Sequence, residues 1–461
     1  MSDDAVHVKS EKFIKMTTSP VEKSVLELAG PSILIMLISA IYNMTDTFFV
    51  STLGTSPVGA VGIAFPLMAI IQALGFFFGQ GSGNYISRAL GAQKNEDASR
   101  MAVTGLVSGF IAMSAVAVIG LVFIGHLADW LGATPTIKPH AKEYIVYILL
   151  ASPWIVSANV LNQQLRFQGS AAIAMFGMLS GAILNIFLDP LFIFVFKWGI
   201  KGAAIATLIS QIISFCILFF YCSTRKGNIP IKFKYFSPSA KRYSEMFKGG
   251  VPALIRQSLM SIVSIIINHF AKPYGDAAIA AISISNRIAM FAMSVVLGFG
   301  QGFQPVCGFN YGAKLYGRVK KAFWFCVKFS CGILLVIAAV MAIFAPQIIA
   351  LFRKDDLDVI AIGAIGLRFQ CISLPFSGAL VMVNMMTQTM GRALDASIVA
   401  LSRQGIFLFP SLLILAPLLG LNGIQLARPV SELASMVVVI PIMIKTLKSL
   451  SVPDGIENPN S

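Results

Sequence analysis

Charge is scarce in this chain. Only 12% of its 461 residues are Asp, Glu, Lys or Arg, against roughly 25% in a soluble domain. So few charges cannot clothe a water-facing surface, which excludes a soluble globular enzyme and a disordered chain. Acid is scarcer still: 20 acidic residues face 35 basic ones, a formal charge of +15. The four histidines (His7, His126, His140, His269) are scattered and make no metal cluster. The six cysteines (Cys216, Cys222, Cys307, Cys326, Cys331, Cys371) lie in or beside apolar stretches with no CxxC spacing. Core positions are expected for them, not disulfides or metal sites. No GxxxxGK[ST] motif occurs, so a built-in ATP motor is excluded. No Ser/His/Asp grouping falls at a shared membrane depth, and no enzyme or cofactor is expected. Residues 1–22 lack the apolar region of a signal peptide.

What is abundant is apolar sequence, 56% of the chain. A spanning helix takes about 20 mostly apolar residues. Twelve segments qualify: 24–51, 57–87, 101–127, 143–165, 171–196, 200–222, 248–271, 277–309, 322–348, 361–389, 395–418 and 423–446. Their apolar runs are continuous, not alternating, which selects helices over a barrel. The expected fold is an all-α polytopic membrane protein. Lys and Arg concentrate in alternate loops: the N-terminus, Arg88/Lys94/Arg100, Arg166, the 223–248 stretch, 314–321, Arg392 and 445–448. In a soluble chain such a basic excess would suggest nucleic acid. Here it reads as topology, with both termini cytoplasmic in a plasma membrane.

The chain is a six-helix unit written twice. An offset of 221 links Pro31 to Pro252, Gly54 to Gly275 and Gly79-Gln80-Gly81 to Gly300-Gln301-Gly302. The same offset links Gly91-Ala92 to Gly312-Ala313 and Gly199 and Gly202 to Gly420 and Gly423. Asn162 and Gly169 match Asn384 and Gly391 with a slip of one. The organisation expected is a tail (1–23), an N-lobe (24–222), a basic linker (223–247), a C-lobe (248–446) and a tail (447–461). Two even-numbered bundles share one orientation, around an axis along the membrane normal. Such bundles facing a central cleft describe an alternating-access carrier. The Gly-Gln-Gly-Ser-Gly run at 79–83 follows no strand and reads as close helix packing.

Ionisable groups inside spans are costly and mark function. The first repeat has two well inside: Asp46 in YNMTDTFFV and Asp189 in LNIFLDPLFIF. Asn185 precedes Asp189 by one turn on the same face. Pro190 frees a carbonyl one turn back. Two carboxylates, a carboxamide and a free carbonyl suit a proton or a hard cation. The plainer alternatives are a wetted Asp46 near the outer interface and an Asp189 at a span end. The second repeat lacks these acids. Asp46 corresponds to Ile267, and Asp189-Pro190 to Phe409-Pro410. It carries Arg256, His269, Arg287, Arg403 and Arg428, with Glu432 as its internal acid. Arg428 and Glu432, four apart, are expected to pair. Arg256, Arg287 and Arg403 are candidates to line the substrate cleft, with helix-end scaffolding as the alternative.

GPSILIMLISAIYNMTDTFFVSTLG, FGQGSGNYISRALGA and LNIFLDPLFIFVFKWGIKGAAIAT together resemble the multidrug and toxic compound extrusion (MATE) transporters. The resemblance runs over about residues 24–446. It implies a twelve-helix, two-lobe exporter that couples amphipathic small molecules to H⁺ or Na⁺, with proton favoured, acting as a monomer in the bilayer. The DinF-like or MepA-like branch is favoured, because the C-lobe carboxylates of the NorM-like branch have no counterpart. That branch implies an N-lobe coupling site of Asp46, Tyr144, Asn185, Asp189 and Thr207, with Pro31 as hinge. Tyr144 could equally be an interfacial anchor, and Thr207 a packing residue. A flippase of a lipid-linked or polyprenyl-pyrophosphate-linked intermediate is the alternative function, since arginines neutralise pyrophosphate.

Overall fold

The structure is a computed structural model that describes residues 12–224, 229–352 and 356–450. Helices dominate the described residues. The spans are α1 (Val21–Ser51), α2 (Thr55–Gly91), α3 (Asn95–Val122), α4 (Lys138–Phe167), α5 (Ala171–Pro190) and α6 (Gly199–Ser223). The second set is α7 (Ala240–Ala271), α8 (Asp276–Gly312), α9 (Tyr316–Ile343), α10 (Leu357–Thr389), α11 (Ala393–Leu419) and α12 (Leu421–Lys448). Eleven helices among the described residues, α2 to α12, are long and apolar enough to cross a membrane. The twelfth, α1, is a 31-residue helix, and the side chains of residues 40–48 in it lie outside the described set. Within the lobes the helices bury alanine, leucine and valine against one another. Phenylalanine and isoleucine such as Phe65, Phe187 and Ile265 point outward, as lipid-facing positions should.

The repeat seen in sequence is a repeat in backbone. Short helices Ile124–Trp130 and Ala345–Ala350 occupy the same place in each half, 221 residues apart. Gly199 opens α6 and Gly420 caps the start of α12, at φ 56° and 58°, where an L side chain is strained. Gln93 and Lys314 share φ 58° and 61°. Asn162 donates to the Ala174 carbonyl at 3.0 Å, and Asn384 to the Ala396 carbonyl at 2.7 Å. Each amide thus pins the fourth helix of its repeat to the fifth.

The lobes meet through glycine on the face that carries both termini of the helical core. There α2 packs on α7, and α8 packs on α1. A Cβ at Gly81 would strike the Met246 carbonyl, and one at Gly302 the Ala29 backbone. At the next level a Cβ on Gly91 would overlap Phe309 O, and one on Gly312 would overlap Arg88 O. The 79–83 run is therefore a packing device: Gly79 admits Gln163, Gly81 admits Met246 and Gly83 admits Phe167. Polar bonds tie the same face. Arg88 reaches Glu245 at 3.0 Å, and Gln388 donates to Gln80 at 2.9 Å and to Gly249 O at 2.6 Å. Residues 12–18 form a further helical stretch across it. Asn310 and Arg318 hold that stretch through Met16 O at 3.1 Å and Ser19 O at 2.5 Å.

Two readings change. Arg166 is no loop cation: it sits in the last turn of α4 and is 2% exposed. Cys216 is exposed, while Cys222, Cys307, Cys326 and Cys371 are buried and Cys331 is half-buried, all six free. A single residue type cannot say which face of an apolar helix meets lipid.

Candidate functional site

In the N-lobe, α5 runs as a regular helix up to Pro190 and then widens into one π turn, Leu191–Val195. The proline removes a backbone donor, and the extra residue in the turn accommodates the break. Asp189 stands at this junction and is 0% exposed, with Asn185 one turn before it at 1%. The neighbours of the Asn185 amide, a carboxylate on one side and a backbone N–H on the other, set its nitrogen toward the acid. It donates to Asp189 Oδ2 at 2.9 Å and accepts from the Thr207 backbone N–H at 3.2 Å. That amide links α5 to α6, and Thr207 is 3% exposed. Tyr144 is also 3% exposed, on α4, which runs along α6. A side chain so covered does not anchor at a membrane interface. The sequence thus located three groups, Asn185, Asp189 and Thr207, that the fold joins into one buried cluster.

Asp46 lies outside the residues whose side chains are described. Its helical register is still informative. Val50 of α1, Ile193 after α5 and Ala203 of α6 pack together in one apolar cluster. Residue 46 is one turn before Val50, Asp189 one turn before Ile193, and Thr207 one turn after Ala203. Helix α6 runs antiparallel to α1 and α5, so all three steps lead to the same level of the bundle. The Phe49 ring meets the Phe194 ring edge-on at 6.2 Å just beyond it. Pro31 is in α1, two residues from the point where Gly298 of α8 lies against the Ile33 backbone.

The C-lobe is built differently. Glu432 of α12 is 4% exposed. Arg403 Nε and Nη2 donate to its Oε1 at 3.1 and 2.8 Å, and Ser373 and Ser377 donate to its Oε2 at 2.7 and 2.6 Å. Arg403 belongs to a π turn, Ser402–Ile406, that interrupts α11. Arg428, expected to pair with Glu432, does so only at the outer limit of an ion pair, 4.0 Å. The acid is already taken by a residue 29 positions away, a pairing that local spacing could not reveal. Arg256 bonds Asn384 Oδ1 at 3.4 Å, and Arg287 is exposed. Met385, Met386 and Met390 are buried packing residues.

The MatE family model matches residues 31–191 and again 252–413. The chain belongs to the MATE transporter family. The two matches fall one on each lobe of this MATE transporter, as a duplicated unit requires. It is 30% identical over 440 residues to the multidrug export protein MepA of Staphylococcus aureus strain MSSA476, covering 94% of this chain and 96% of that protein. Its fold is similar to a multidrug resistance MATE transporter of the MOP superfamily solved in an outward-facing conformation. The TM-score is 0.89 at 27% identity, with 95% of this chain and 98% of that one aligned. It is also similar to a MATE structure in a bent conformation, with TM-score 0.88, 28% identity and the same coverage. The MATE chain is a multi-pass membrane transporter and not an enzyme.

Proposed function

We propose that this protein is a cation-coupled multidrug exporter of the plasma membrane, with both termini in the cytoplasm. It exchanges H⁺, in preference to Na⁺, for amphipathic small molecules by alternating access. The observation that carries the reading is the buried Asp189–Asn185–Thr207 cluster at the level of residue 46. A buried carboxylate in an apolar bundle is costly when ionised, and a proton or a cation offsets that cost. Two carboxylates at one level share a single proton readily. Tyr144 is assigned to the same coupling site, and Pro31 to the bend of α1 that answers to protonation. Similarity to MepA supports drugs as substrates, and the concentration of Lys and Arg in alternate loops supports the orientation. Closure of the lobes at the terminus-bearing face then describes an outward-facing state, with the cleft on the far side.

The test is transport in proteoliposomes with pH and sodium gradients imposed separately. Efflux driven by the proton gradient alone, and lost in Asp189→Asn, is expected. Efflux that follows sodium at equal pH on both sides overturns the proton assignment. Wild-type efflux from Asp189→Asn removes the cluster from the mechanism.

A further inference from the structure

The coupling cluster has a counterpart in the other lobe with its charge inverted. The offset of 221 carries Asp46 to Ile267 and Thr207 to Arg428. Both of those residues line one small pocket inside the C-lobe, together with Asn286, Gln370 and Gln425. The walls come from α7, α8, α10 and α12, the repeat equivalents of α1, α2, α4 and α6. An isoleucine has replaced the acid, and a guanidinium stands where the hydroxyl was.

The guanidinium is poorly compensated. Glu432, the nearest acid, is filled by four hydrogen bonds from Arg403, Ser373 and Ser377. Arg428 Nε remains at 4.0 Å from it. Among the described residues, the one hydrogen bond Arg428 makes is from Nη1 to Asn286 Oδ1, long at 3.4 Å. Five N–H donors are available on an arginine. Three arginines, 256, 403 and 428, lie in electrostatic range of one another through Arg403, with Glu432 as the acid among them. The pocket also holds unmatched acceptors. Gln370 and Gln425 spend their amide nitrogens on Asn286 Oδ1 and Ile362 O, both at 3.0 Å. Their Oε1 atoms are buried without a hydrogen-bond partner. Such a set asks for a group that offers negative charge to Arg428 and a donor to the two carbonyls.

We propose that this pocket binds the head group of a carboxylic acid bearing a neighbouring O–H or N–H, the rest of the molecule extending out of the pocket. The carboxylate accepts from the free N–H groups of Arg428, in a charge-assisted bond. The adjacent hydroxyl or amine donates to Gln370 Oε1 and Gln425 Oε1. The pocket is small, so it takes a compact head and rejects an ester, which carries no charge and adds bulk. The inference rests on reading the chain as an exporter of amphipathic molecules, and assigns it a class of substrate: hydroxy or amino acids with an apolar tail.

The test measures binding, so that it stands apart from gradient coupling. Purified full-length protein in detergent is titrated by calorimetry with phenyllactate, phenylpropionate and the methyl ester of phenyllactate. The expected order is phenyllactate tightest, phenylpropionate weaker and the ester weakest. Arg428→Gln should lose about tenfold or more in affinity for both acids, the worth of a charged hydrogen bond, while leaving the ester unchanged. Gln370→Leu should bring phenyllactate down to the level of phenylpropionate. Arg428→Lys, which keeps the charge, controls for folding, together with the thermal midpoint of each variant. Equal binding of acid and ester by the wild type overturns the proposal, as does an acid affinity that Arg428→Gln leaves intact. Loss of proton coupling with this binding order preserved would sink the coupling assignment alone.

Discussion

At the level of single residues, two buried acids do opposite work. Asp189 meets the neutral amide of Asn185, and the proposed coupling asks it to gain and lose a proton. Glu432 is clamped by a guanidinium and two hydroxyls, so its charge is fixed. Asp46→Asn, Asp189→Asn and the double variant should therefore lose gradient-driven exchange to nearly the same extent, because groups acting as a unit are not additive. Proteoliposome flux checks this, and losses that multiply would show independent roles. Arg403→Ala should instead damage stability, because it strands a buried carboxylate. Breaking such a pair costs roughly 3–5 kcal/mol, read as a lowered thermal midpoint in detergent. Adding Glu432→Gln should restore most of it. The sequence displayed Asp189 and Asn185 on one face because four residues make one turn. It concealed the Arg403–Glu432 pair, whose members are 29 residues apart on different helices, and it hid the burial of Arg166 behind a loop-like position. The side chain of Asp46 belongs to neither group, since register alone speaks for it.

Among the helices, hydropathy located the spans well because lipid imposes both their length and their composition. It missed how far some of them run. Both α2 and α8 continue for 37 residues, well beyond the roughly 20 that cross the hydrocarbon. Their last turns form the lobe contact, where glycine rather than hydropathy is the signal. Nor did the proline at 190 announce that its break would take the form of a π turn. Because Gly91 and Gly312 face backbone carbonyls of the opposite lobe, a methyl group there has nowhere to go. Gly91→Ala and Gly312→Ala should each prevent the terminus-bearing face from closing. Spin labels at Arg100→Cys and Lys320→Cys, in a background with the native cysteines replaced, would read the lobe separation by pulsed resonance. A wider distance than in the parent is expected for both variants. An unchanged distance would mean that the glycines serve packing within a lobe more than contact between lobes.

For the molecule as a whole, the pseudo-twofold arrangement makes the lobe contact reciprocal: α2 on α7 and α8 on α1. A reciprocal contact opens as one unit, since each half contributes the surface that the other receives. Transport by alternating access requires that opening in every cycle. The Arg88–Glu245 bridge, at 3.0 Å, crosses from one lobe to the other and offers a place to hold the contact shut. Arg88→Cys together with Glu245→Cys, joined by a short cleavable bismaleimide, should arrest efflux completely. Cys216, the exposed native thiol, would be replaced by alanine beforehand. Binding of an amphipathic ligand to the locked protein should survive, because the closed face is not where the coupling cluster or the C-lobe pocket lies. Cleaving the reagent should return the flux. Each thiol modified alone, without the bridge, separates the lock from the loss of the ion pair. The pair is largely buried, its side chains 15% and 22% exposed, so the flux of the unbridged double variant is the reference against which the lock is read. Continued efflux through the bridged protein would mean that substrate crosses without the lobes parting at this face, and a rocking two-lobe carrier would no longer describe this fold.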